Sequence, residues 1–197
     1  MEIKNPIYAD FNFEQIYHIY TRVSGNEFIY KNEANYQFFL QKISKYILPY
    51  AEIYAYCLVP QRFSLMICFH SSKIIFKNLD VEEKDMNLQE THKFLMKPIS
   101  NLLNSYAKAY NKMYHRKGAL FVDFIKREIL DNEEDLKQTL KYIHQIPLQN
   151  RIVNQFEDWK YSSYRSYLEP EKPSKIGKTF MMSFFDHSHQ FIEFHKK

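Results

Sequence analysis

Apolar positions along this chain fall into blocks with a period near two or between three and four, and those periods predict its elements in order. Residues 16–23 crowd Ile16, Tyr17, Ile19, Tyr20 and Val23 together and stop at Ser24-Gly25-Asn26, which predicts a strand followed by a turn. Between Glu33 and Tyr46, Tyr36, Phe39, Leu40 and Ile43 recur at helical spacing with Ile47 just beyond, so an amphipathic helix is expected until Pro49 stops it. Residues 52–59 and 63–69 are rich in β-branched and aromatic side chains. Joined by Pro60-Gln61-Arg62, they predict an antiparallel pair in the middle of a sheet.

Residues 71–89 are charged and weakly patterned, and read as a loop or insertion. Helical spacing returns with Phe94, Leu95, Ile99, Leu102, Leu103, Tyr106, Ala109, Tyr110 and Met113, predicting a helix over 91–115 that ends before Gly118. Residues 119–122 and 125–130 read as a short strand pair. Asp131 with Glu134 forms a candidate capping box, and a helix with an inward stripe of Leu136, Leu140 and Ile143 should then run from about Asn132 until Pro147 ends it. The order β, α, β, β, α, β, β, α predicts an α+β, ferredoxin-like sandwich, an antiparallel sheet with helices on one face. This domain is expected over 1–168, with an aromatic C-terminal extension over 169–197. Trp159, Tyr161 and Tyr164 read as an anchor holding that end to the domain, a DNA-contacting role being the alternative.

Composition narrows the classes. The 197 residues are 45% apolar, enough for a real core, and contain 3 Gly, with neither a P-loop nor a dinucleotide fingerprint. Formal net charge is +4, basic enough to permit a nucleic-acid partner and too mild to demand one. Cys57 and Cys68 lie in apolar stretches and read as buried thiols. No apolar run approaches the roughly 18 residues of a membrane span, and the first residues lack the apolar core of a signal peptide, so a cytoplasmic protein without a membrane partner is expected.

Several short motifs coincide: Tyr17-His18-Ile19-Tyr20-Thr21-Arg22, Tyr54-Ala55-Tyr56-Cys57-Leu58-Val59-Pro60, Gly118-Ala119-Leu120-Phe121, Tyr142-Ile143-His144-Gln145-Ile146-Pro147 and Asp158-Trp159-Lys160-Tyr161-Ser162-Ser163-Tyr164. In this order, across about residues 13–168, they resemble the REP-associated tyrosine transposases, bacterial single-tyrosine transposases of the HUH type. The resemblance implies a DNA partner, single-stranded or hairpin, and monomers or homodimers. It also implies a divalent metal such as Mg2+ or Mn2+, held by two histidines of a P-N-H-x-H-L strand and a polar residue one turn after the tyrosine. The tyrosine attacks the phosphate, leaving a 5'-phosphotyrosine and a free 3'-hydroxyl.

Matched position by position, the tyrosine is Tyr142, while the metal positions hold Arg62, Ser64 and, in place of the motif's Asn, Ile146. Arginine keeps its proton and has no acceptor, and serine is a weak neutral ligand, so no cofactor is expected and strand cleavage should be lost. DNA contacts are expected from Arg22, Arg62, Lys108, Lys112, Arg116, Lys117, Lys126 and Arg127, several of them interleaved with Tyr106, Tyr110, Tyr114 and Phe121 for stacking on unpaired bases. Two alternatives stay open. One is an active transposase whose metal is held by groups such as Asp123, Glu128 or His144, or that works without a metal; the other is a protein-interaction module whose sheet face has turned apolar. His18 reads as a sheet-face residue or a DNA contact, His144 as a core or capping histidine. Asp186-His187-Ser188-His189 has the alternation of a strand-borne metal pair but no evident third ligand.

Overall fold

The computed structural model describes residues 7–22, 27–121 and 125–196, with the side chain of Arg22 left out; Asp123 lies outside the described residues. Four strands, β1 (Ile16–Arg22), β2 (Ala51–Val59), β3 (Arg62–Phe69) and β4 (Lys126–Leu130), form one antiparallel sheet in the order β2-β3-β1-β4. The expected strand pair is β2 and β3, but β2 is an edge and only β3 is interior. Of the expected pair over 119–130, β4 forms; residues 119–121 are not strand and 122–124 lie outside the described residues.

Alternation along β1 sends Tyr17 and Ile19 to one face and His18 and Tyr20 to the other. The first face is the larger core. Phe63, Leu65, Ile67 and Phe69 of β3 meet Tyr36, Phe39 and Ile43 of α1 (Glu33–Tyr46) and Leu95, Ile99, Leu102 and Tyr106 of α3 (Leu88–Met113). Each fully buried aliphatic or aromatic side chain here contributes about 1.5–3 kcal/mol. The second face is also covered. α4 (Glu133–Gln149) lays Leu136, Leu140, Ile143 and Ile146 on Ala55, Cys57, Val59 and Met66. Beyond α4 the chain adds α5 (Tyr164–Leu168), α6 (Lys178–Met182) and α7 (Ser188–Lys196), which bury Tyr167, Met181 and Phe191 in the same cluster. Helices therefore cover both faces, where the element order alone placed them on one.

A bulge makes the two cores compatible. Between Ile53 and Ala55 the register of β2 against β3 shifts by one, so Ala51 and Ile53 face the first core while Ala55, Cys57 and Val59 face the second. Both sheet edges are occupied by the chain itself. Tyr8 and Ala9 pair with Arg127 on β4, and the 161–163 segment pairs with β2 through Leu58 N–H to Tyr161 O (2.9 Å) and Ser163 N–H to Tyr56 O (2.9 Å). Trp159 anchors that segment by donating its indole N–H to Leu58 O at 2.8 Å.

Several boundaries differ from the periodicity. Residues expected as loop contain α2 (Ser72–Leu79), whose Phe76 stacks on Phe94 with centroids 5.3 Å apart. α3 starts at a true capping box, Asn87 with Glu90, and ends before His115, which adopts a left-handed conformation. The N-cap of α4 is Asn132, whose side chain accepts from Asp135 N–H, so Asp131 stays outside. Pro147 lies within α4 because only its last turn follows, so the ring deletes one hydrogen bond without breaking the helix. Among the described residues no helix is long and apolar enough to cross a membrane.

Candidate nucleic-acid interface

α4 crosses β2 and β3 and leaves the β1–β4 part of the second face to polar side chains. Register places them: His18 lies opposite Glu128, Tyr20 opposite both Ser64 and Lys126, and Arg62 starts β3 two residues before Ser64. His18 Nε2 lies 2.7 Å from Ser64 Oγ, its Nδ1 faces Glu128 at 3.6 Å, and Tyr20 donates its hydroxyl to the other Glu128 oxygen at 2.8 Å. The His18 and Tyr20 rings stack at 4.6 Å. Burial holds the His18 pKa below its usual value. Arg62 adds to that depression, while the Glu128 carboxylate opposes it.

Tyr142 closes this set from above. It is 37% exposed on α4, its ring meets His18 edge-on at 5.9 Å, and Arg62 donates to its hydroxyl at 3.4 Å. The Arg62 guanidinium also lies 5.9 Å from the Tyr142 ring centroid, and its buried Nε has no hydrogen-bond partner among the described residues. Lys126 extends the positive edge, with Nζ 5.9 Å from the Tyr20 ring. Arg22 pairs with Arg62 through the backbone; its side chain lies outside the described residues. The patch thus joins a permanent cation, a half-exposed phenol and a lysine at one end of the sheet.

These residues do not fit a divalent ion. Arg62 places a positive charge where a ligand would stand, Ser64 is 1% exposed and engaged with His18, and Ile146 is fully buried in the apolar cluster. His18 and Glu128 alone make two donors. Among the described residues no three His, Cys, Asp or Glu side chains converge as a metal site. His144 does not supply the third, because it lies inside the second core between Ser163 (2.8 Å) and His195 (2.9 Å). His187 and His189 are not on a strand. His187 accepts Gln190 N–H at 3.0 Å at the start of α7.

The other basic positions separate. Lys108, Lys112 and Lys117 are exposed on or just beyond α3, the helix that packs on the opposite sheet face. Two of the expected DNA contacts have their guanidinium groups engaged within the protein. Arg127, 9% exposed, donates to the carbonyls of Ala9 (2.8 Å), Tyr8 (3.1 Å) and Ile125 (3.2 Å), stapling the N-terminal segment to β4. Arg116 forms a two-pronged pair with Glu27 (2.7 and 2.8 Å) and donates to the carbonyls of Gly118 and Ala119, so its guanidinium is committed within the protein. The tyrosines read as stacking platforms are also structural. Tyr106 and Tyr110 are buried and donate to the carbonyls of Ile29 and Phe28, and Tyr114 donates to Asn35 at 2.8 Å. Cys57 is buried and its thiol pKa is pushed up by burial, whereas Cys68 is half-buried.

Sequence reasoning missed the His18–Ser64 contact. Alternation puts both on one face, but their diagonal meeting depends on a register that sequence does not supply.

Comparison with known proteins bears on the fold. No family model matches the chain, and no curated protein matches it. Among solved structures, one of a REP-associated tyrosine transposase bound to a REP hairpin is similar over 89% of this chain and 90% of that one, with a TM-score of 0.57 and 14% identity. The α+β fold of this chain is therefore similar to the fold of that structure.

Proposed function

We propose that the chain binds DNA, as a single strand or a hairpin, across the sheet end that carries Arg62, Tyr142 and Lys126, and that it does not cut it by metal-assisted transesterification. The observation that carries this reading is the Arg62–Tyr142 pair. At this place the guanidinium offers a planar fork to a phosphate and the phenol an adjoining donor, a combination that grips an anion without supplying a Lewis acid. Support comes from the fold shared with a protein captured on a REP hairpin. The protein-interaction reading needs an apolar face at this spot, and the lining of His18, Tyr20, Ser64 and Glu128 is polar.

The test titrates a labelled hairpin bearing a single-stranded flank with protein at two salt concentrations, then incubates the mixture with Mn2+ and looks for a covalent adduct. Binding that weakens with salt is expected, with Arg62→Ala lowering affinity about 10- to 100-fold as for a lost charged hydrogen bond. No adduct should form. A covalent product that disappears in Tyr142→Phe would overturn the cleavage-dead reading.

A further inference from the structure

Along most of its length α3 presents only lysine and asparagine to solvent. From Thr91 to Lys112 its exposed residues are Lys93, Lys97, Asn101, Asn104, Lys108 and Lys112, cations and amides with no acid among them. Around the helix axis these side chains fall within an arc of about 100°, turned away from Leu95, Ile99, Leu102 and Tyr106, which enter the first core. The sequence holds no Asp or Glu from Thr91 to Val122, so nothing on the helix itself offsets the charge.

Folding alone does not ask for this face. Lys93 and Lys97, and again Lys108 and Lys112, stand one turn apart, where like charges repel and weaken a helix. α4 shows the ordinary arrangement in the same molecule: Lys137 pairs with Glu133 at 3.2 Å and Gln138 donates to Glu134 at 2.8 Å. Among the described residues no carboxylate pairs with any of the α3 lysines at these positions. The neighbouring helix continues the sign, since α1 has no acid after Glu33 and carries Lys42 and Lys45. Ammonium groups spread over about 28 Å of helix axis match a regular row of phosphates, and the asparagine amides donate to phosphate oxygens between them. The arc has no exposed aromatic ring on which an unpaired base could stack, and no exposed Trp, Phe or Leu to enter a lipid surface.

We propose that this face of α3 binds duplex DNA through its phosphates, without reading bases, as a surface separate from the Arg62–Tyr142 patch. α3 covers the first sheet face and the patch lies on the second. One protein molecule therefore holds two DNA segments at once, a strand or hairpin on one side and a duplex on the other. The duplex surface stands on α3 alone, and the joint holding rests also on the DNA reading above.

The test titrates full-length protein with a labelled blunt duplex and, separately, with the flanked hairpin, over about 50 to 200 mM salt. The variant Lys93→Gln/Lys97→Gln/Lys108→Gln/Lys112→Gln should lower the salt slope for the duplex by about three to four and leave hairpin binding unchanged. A control, Lys84→Gln/Lys172→Gln/Lys175→Gln/Lys196→Gln, removes the same charge from outside α1 and α3 and should keep most of the slope. An immobilised flanked hairpin should capture labelled duplex through the wild type and lose it with either the α3 variant or Arg62→Ala. Equal loss in the α3 variant and the control would reduce the binding to net charge and overturn the surface. Displacement of the hairpin by unlabelled duplex would put both ligands on one site and overturn it as well. No salt-dependent duplex binding, with the hairpin still bound, would overturn the surface and leave the hairpin reading standing. A duplex bound through α3, with hairpin affinity indifferent to Arg62→Ala, would keep the surface and overturn the hairpin reading. Phosphatidylserine vesicles that sediment the wild type but not the α3 variant, with no duplex bound, would overturn DNA as the partner of this face.

Discussion

Lowering the pH should loosen the second core before any other part of the protein, because two buried histidines there share a hydrogen-bonded chain with no room for another proton. His195 Nδ1 lies 2.9 Å from Phe191 O, a carbonyl that can only accept, so Nδ1 carries the hydrogen and Nε2 is a lone pair. His144 Nδ1, 2.9 Å away, must then donate to it, and His144 Nε2 must accept from Ser163 Oγ at 2.8 Å. Ser163 Oγ in turn accepts Tyr56 N–H at 3.0 Å. Protonating His195 sets two donors face to face at Nε2, whereas a proton on His144 forces Ser163 to turn its hydroxyl to Tyr56 O at 3.3 Å. Burial lowers both groups: His195 to about 4, with Lys141 adding to the depression, and His144 well below its usual value, with His195 adding.

The sign follows from proton counting. An unfolded histidine takes up its proton near pH 6.5, so between about 6.5 and 4 the unfolded chain binds more protons and stability falls as pH falls. Above pH 7 the pair adds no slope. Each histidine costs about 1.4 kcal/mol per pH unit in that window, so His195 alone removes about 2 kcal/mol by pH 5. The assay is urea unfolding at pH 7.5, 6 and 5 for the wild type and for His144→Leu/His195→Leu. In the double variant Ser163 can still donate to Tyr56 O at 3.3 Å, and the remaining histidines cancel in the comparison. The wild type should lose at least about 2 kcal/mol relative to the variant between pH 7.5 and 5. Parallel pH profiles would refute the tautomer chain.

Arg127→Met leaves three carbonyls without their donor and should cost about 2–4 kcal/mol, lowering Tm by roughly 5–15 °C in a thermal melt. Lys178 is 7% exposed and donates to the carbonyls of Ser166, Glu169 and Lys172, so Lys178→Met should destabilise by about 1–3 kcal/mol in urea unfolding; a change under about 0.5 kcal/mol would mean these contacts are replaceable. Asn87→Ala removes the cap of α3 and should cost about 1 kcal/mol by the same measurement, with Asn87→Asp retaining most of the stability.

Periodicity located α1 to the residue because its stripe is unbroken and Pro49 follows it. It failed at α2, where eight residues gain their helix from Ile75 and Phe76 packing inward, a tertiary effect that local pattern does not carry. Charge was the most misleading signal. Arg127 reads as a surface cation beside Lys126, yet alternation on β4 sends one to the second face and the other into the first core. Lys178 sits in the C-terminal extension, and its ammonium gathers the carbonyls of Ser166, Glu169 and Lys172. The Arg62–Tyr142 pair became legible through motif resemblance, since no spacing rule joins residues 80 apart.

The histidine chain and the tyrosine patch belong to one helix. Tyr142 and His144 are two positions apart on α4, about 200° around its axis, so one turns to the interface while the other enters the second core. The rotation of α4 that sets Tyr142 beside Arg62 is therefore the rotation that seats His144 between Ser163 and His195. Ser163 belongs to the segment paired with the β2 edge, and His195 belongs to α7, so the phenol's position depends on chain that lies well beyond the last strand in sequence. Removing α7 should then disturb the Arg62–Tyr142 contact without touching either residue. A truncation before Ser188 that lowers hairpin affinity, while the sheet's first core keeps its amide-exchange protection, is the outcome this coupling requires.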